Sequence, residues 1–223
     1  MPNPARKTCG AAMILAPLLG LASAIAAPPL KSSAGAKLAE IARYQDRWYL
    51  YALLVTISSW LLVPAVLGLI GIVSERAPRL SLIGGGLALL GVLVAVGDAT
   101  VELMYWQMGA AGADRAQMAA LADRYENAAG SSLLFVIGGL ALIVGLVLLA
   151  IALWRTSAAP AWAAAGIPVG VILNIVALSS SNTALVIASN VVLLATLGWI
   201  GWIVAVERAP YGQLLSQPHA TTT

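Results

Sequence analysis

Residues 131–154, SSLLFVIGGLALIVGLVLLAIALW, contain no acidic or basic side chain. A helix spanning the hydrocarbon core of a bilayer needs about 20 predominantly apolar residues, and this stretch supplies them. Five further windows qualify: residues 9–27, 48–73, 80–107, 161–178 and 184–206. Composition agrees, because 9% of the 223 residues are charged, 61% are hydrophobic and the mean hydropathy is +0.92. Soluble domains carry roughly a quarter charged residues. The chain reads as an all-α protein, a single polytopic transmembrane bundle of six spans with a polar tail over residues 207–223.

The first window has a second reading. Arg6 and Lys7, an apolar run, and then ASAIAAPP with Ala24 and Ala26 at small-residue spacing follow the pattern of a secretory signal peptide. Removal of residues 1–26 would leave five spans, and either reading puts residue 28 outside. Every basic residue on the inner side of an N-in topology (Arg6, Lys7, Arg76, Arg79, Arg155, Arg208) sits close to a span end, where positive charge sets orientation. The expectation is a protein integral to a bacterial cytoplasmic membrane with its N-terminus inside. SERAPR, VERAPYG and LWRTSAAPAW each bring charge and then proline at the end of an even-numbered span, which stops the helix.

Several chemistries are excluded. Cys9 is the only cysteine and His219 the only histidine, in the tail SQPHATTT, so the bundle holds no disulfide, Cys-based metal site, His-ligated haem or Ser-His-Asp triad. No cofactor or metal is expected. The net charge of +3 is scattered over loops, which gives no surface for nucleic acid.

Two loops on the outer side look helical. AKLAEIARYQDRW places Leu38, Ile41, Ala42 and Trp48 near helical spacing, with Lys37, Glu40, Arg43 and Arg47 on the polar side. ADRAQMAALADRYENA does the same with Met118, Leu121, Ala122 and Tyr125. Both read as short amphipathic helices at the interface, roofing one face of the bundle.

Of the nine acidic residues only Asp98 and Glu102, in VGDATVELMYW, fall inside a span. Their spacing puts both on one helical face. With Tyr105 and Trp106 as an aromatic belt at the outer interface, Glu102 lies roughly 5 Å and Asp98 roughly 11 Å inside that belt. No Lys or Arg lies in any span, so a deprotonated pair would look to Arg43, Arg47, Arg115 or Arg124 in the roof, or to a cation. The window 80–107 is long for a span, so it either protrudes and leaves both acids wet or buries the pair. A buried pair favours a shared proton, and a protonated acid beside a hydrophobic ligand is a proton donor. Asn174 and Asn190 flank the outer turn SSSNT and belong to the same half. They either join a shared cavity or bond across helices. Asp98 and Glu102 are thus the candidate catalytic acids, and Tyr105, Trp106, Asn174 and Asn190 the candidate ligand-binding residues. The glycine clusters LIGGGLALLG and VIGGLALIVG fit close helix packing and lack the strand–turn–helix setting of a nucleotide loop.

PLLGLASAIAAPP, ERAPR, LWRTSAAPAWAAAG and the Asp-Arg-rich segment before the fourth span resemble small six-span membrane proteins of high-GC bacteria, including those grouped as DUF4386-like. That resemblance implies a six-helix bundle and supplies no catalytic residue. The intramembrane acids also give a likeness to small integral membrane terpene cyclases, which present Asn-x-x-Trp-Glu where this chain has Asp98-Ala-Thr-Val-Glu102. Three functions follow as expectations. One is an accessory, immunity or lipophilic-ligand-binding bundle whose partners are membrane lipid and a lipophilic small molecule. Another is an enzyme on an isoprenoid-type substrate, with Asp98 or Glu102 as general acid and Tyr105 or Trp106 facing a cation. The third is a proton- or cation-coupled transporter, for which no second half repeats the acidic site.

Overall fold

The computed structural model describes residues 4–29 and 33–206. The expected polar tail, with His219, lies outside the described residues. So do Lys31, Glu207 and Arg208. Among the described residues there are eight helices and no strand: α1 (Pro4–Ala26), α2 (Ala34–Arg43), α3 (Gln45–Val73), α4 (Pro78–Met108), α5 (Arg115–Glu126), α6 (Ala129–Arg155), α7 (Ala161–Ser179) and α8 (Thr183–Val206). Six of them, α1, α3, α4, α6, α7 and α8, are long and apolar enough to cross a membrane. These are the six windows of the sequence, extended by a few residues at several ends. α2 and α5 are the two short amphipathic segments.

Local chemistry sets the helix ends. Pro78 opens α4 where its missing N–H costs nothing. The Asp114 carboxylate accepts hydrogen bonds from Ala116 N and Gln117 N at 3.0 and 3.2 Å, which caps α5, and Ser33 caps α2 from its hydroxyl. Arg47 in the first turn of α3 donates to the carbonyls of Ala26, Ile25 and Ala27, satisfying the C-terminus of α1. Pro17, Pro64 and Pro168 lie within continuous helices.

Around the bundle the spans succeed one another in the order α6, α4, α3, α1, α8, α7, with α7 returning to α6. Glycine brings the backbones of two pairs close together. A Cβ on Gly91 of α4 would stand 2.7 Å from the carbonyl oxygen of Gly138 on α6, and one on Gly10 of α1 would stand 2.7 Å from the carbonyl oxygen of Gly201 on α8. Without a hydrophobic drive between helices in lipid, such close approach is what holds spans together.

The interior divides into three layers. At the end where α6 hands over to α7, an apolar core gathers Met13, Leu69, Val73, Leu149, Leu153 and Ile167. At the opposite end, beneath α2 and α5, a second core contains Leu38, Ile41, Trp48, Ala52, Tyr105 and Ala122. Between them the buried side chains include Ser23, Thr56, Ser58, Ser59, Ser189 and Asn190. These polar groups are satisfied by backbone carbonyls: Thr56 donates to Ala99 O at 3.1 Å and Ser58 to Ala16 O at 2.8 Å.

Candidate functional site

The candidate site lies at the cap end, where α4 meets the second core. Along α4, residues seven apart return to nearly the same face. Gly84 and Gly91 on that stripe pack against α6, and the next members are Asp98 and Tyr105. Ala88, Ala95 and Glu102 form the adjacent row. The stripe that seals α4 to α6 through glycine therefore carries Asp98, and the row beside it carries Glu102. Residues 132–137 of α6 are exposed on every face, with Leu134 at 62%, and Asp98 is exposed opposite them. Glu102 is less exposed.

Glu102 has a partner that the count of charges within spans did not show. The Lys37 ammonium, reaching down from α2, donates to Glu102 Oε1 at 3.0 Å, and each side chain is 18% exposed. Lys37 Nζ also stands 3.7 Å above the centroid of the Tyr105 ring and 5.7 Å from that of Trp48, a geometry that favours a cation. Three of the four arginines expected to answer the acids are engaged elsewhere. Arg47 caps α1, Arg43 lies over Tyr44, and Arg124 donates to Ala120 O within its own helix.

Lys37 was expected on the polar side of α2, and the structure corrects this. Ala34, Leu38 and Ile41 are the buried residues of α2, and residue 37 falls between them in the spacing i, i+3, i+4, i+7 of one helical face. That spacing was the available signal. α5 departs further: Ala122 is buried as expected, whereas Leu121 and Tyr125, assigned to the apolar side, are exposed. Glu126, one turn beyond Ala122, instead accepts a hydrogen bond from the Tyr105 hydroxyl at 2.5 Å.

Tyr105 is consequently not part of a lipid-facing aromatic belt. It is 4% exposed and occupies the middle of the cap core, with Lys37 on its face and Glu126 at its hydroxyl. Trp106 packs on Tyr49, ring centroids 4.6 Å apart. Trp48 meets Tyr51 edge to face at 5.4 Å. Three buried polar atoms here have no hydrogen-bond partner among the described residues: Glu102 Oε2, Trp48 Nε1 and Trp106 Nε1. Native interiors leave few such groups, and each calls for a partner such as water, an ion or another molecule.

Asn174 and Asn190 are placed apart from this cluster. Asn174 Nδ2 donates to Ser189 Oγ at 3.0 Å across α7 and α8, and Asn190 Nδ2 donates to Val186 O at 2.9 Å within α8. The neighbours of α4 are α3, α6, α2 and α5, so α7 and α8 form the far wall. Of the six candidates, the structure brings together Asp98, Glu102, Tyr105 and Trp106 and adds Lys37, Trp48, Tyr51 and Glu126. An ammonium, a carboxylate with one free oxygen, two indole N–H groups and aromatic faces can hold the polar end of an amphiphile. Lys37 engages Glu102, and Asp98 lies one turn away on the more exposed side of α4. No family model, curated protein or solved structure matches this chain.

Proposed function

We propose that this protein binds a lipophilic molecule within the membrane, holding its polar end at the Lys37–Glu102 pair beneath α2 and α5. One observation carries the reading. The part-buried Lys37–Glu102 pair carries a buried oxygen, Glu102 Oε2, with no hydrogen-bond partner among the described residues, and the buried indole N–H groups of Trp48 and Trp106 in the same cap core are likewise unpaired. A site built only for stability would satisfy them, because an unpaired buried donor or acceptor costs about 1–3 kcal/mol. The apolar part of the ligand has a place beside Asp98, where residues 132–137 of α6 offer leucine, phenylalanine, valine and isoleucine on all sides. On the N-in orientation expected from the loop charges, this is the outer half of a bacterial cytoplasmic membrane.

Native mass spectrometry of the protein extracted from its own membranes tests the proposal. A lipophile other than bulk phospholipid is expected on the wild-type chain and is lost from the Asp98→Asn/Glu102→Gln double variant. A wild-type chain carrying nothing beyond bulk phospholipid, or a double variant that retains the same molecule, refutes it.

A further inference from the structure

We infer that the polar end accepted by this site is a single neutral hydroxyl, which makes the ligand a lipophilic alcohol. The inference rests on the ligand-binding reading above and names the class of molecule.

The unpaired atoms set the requirement. Glu102 Oε2 accepts hydrogen bonds only, and the indole N–H groups of Trp48 and Trp106 donate only. A hydroxyl carries one donor hydrogen and acceptor lone pairs on the same oxygen. It therefore donates to Glu102 Oε2 while accepting from an indole. Trp48 is the indole assigned to it, because its side chain is 3% exposed and its ring lies 5.7 Å from the ammonium that holds Glu102. Partners left unpaired inside such a site make it discriminate against any molecule lacking the hydroxyl.

Other headgroups fit less well. A fully ionised phosphate offers acceptors only, and in any ionised form a phosphate brings negative charge beside Glu102 and Asp98 and finds Lys37 already paired. An ammonium offers donors or bare charge, and its natural seat over the Tyr105 ring is taken by Lys37 Nζ at 3.7 Å. A ketone, ester or ether accepts from an indole and leaves Glu102 Oε2 unpaired.

Native mass spectrometry of the full chain in an amine-oxide detergent, which has no hydroxyl of its own, tests the assignment. The probes are hexadecan-1-ol, its methyl ether, hexadecane, hexadecyl phosphate and hexadecyltrimethylammonium at equal concentration. Retention of the alcohol is expected to exceed that of the ether and hydrocarbon by at least about tenfold. Trp48→Phe removes the N–H together with part of the ring, so the preference for alcohol over ether is expected to fall several-fold, while retention of hexadecane reports the packing lost with the ring. Equal retention of alcohol and ether, stronger retention of the phosphate or ammonium probe, or a Trp48→Phe variant with full preference overturns the hydroxyl assignment and leaves the binding reading standing. Retention of none of the five probes, with water alone filling the site, overturns both.

Discussion

Lys37 of α2 and Glu102 of α4, 65 positions apart in the chain, meet at 3.0 Å and tie the cap to the bundle. Breaking such a pair from one side leaves an uncompensated charge in a poorly solvated place. Lys37→Met is expected to cost about 2–3 kcal/mol, below the 3–5 kcal/mol of a fully buried pair because both side chains keep some solvent. Lys37→Met combined with Glu102→Leu should recover most of that loss. A double-mutant cycle on thermal unfolding in detergent measures the coupling, and additive losses would contradict it.

The second tie from α4 goes to α5. Tyr105→Phe removes the hydroxyl that donates to Glu126 and keeps the ring under Lys37. Hydrogen bonds to charged groups contribute about 1.5–3 kcal/mol. Faster amide exchange is expected across α5 and not across α2, read by hydrogen–deuterium exchange mass spectrometry. Equal loosening of both helices would show that the two ties act as one.

Close packing of α4 on α6 depends on particular glycines. Gly91→Ala puts a Cβ about 2.6 Å from Leu142 N and 2.7 Å from Gly138 O, and backbone atoms yield little. An overpacking loss of about 1–3 kcal/mol is expected. Gly86 and Gly139, on the same two helices, meet nothing within 4 Å. Their change to alanine should be neutral or stabilise by about 0.5–1 kcal/mol, as in any helix interior. Melting temperatures of the three variants in one detergent decide the matter.

Asn174 acts on the far wall. Its replacement by leucine removes the hydrogen bond to Ser189, and such bonds between membrane helices average about 0.6 kcal/mol with a maximum near 1.7. A loss in that range is expected, with lipophile retention unchanged. A variant that keeps its stability and loses the lipophile would move Asn174 into the site.

Much of the architecture was legible in the chain because a bilayer asks one simple question of each segment. Residues 131–154, and five windows like them, answer it through length and the scarcity of charge. The proline-marked turns and the two amphipathic segments followed from equally local chemistry. Asp98 and Glu102 stood out for the same reason, as the only acids within the spans. The rotation of α2 and α5 was less legible, since alanine-rich helices present an ambiguous apolar face. Ala34, Leu38 and Ile41 fix the phase of α2 only once the second core shows which of them are buried.

What the sequence by itself determined is the set of spanning helices, their connecting loops and the one helical stripe that carries acids. Those features depend on composition and period within single segments. Tertiary structure alone decided which cation answers Glu102, that Tyr105 is enclosed in the cap core, and that Asn174 and Asn190 lie on another wall. Each of these is a meeting of distant segments, set by how glycine lets α4 approach α6 and by how the cap helices turn to bury their apolar face. Lys37 sits on the buried face of α2, and that face is defined only by the helices beneath it.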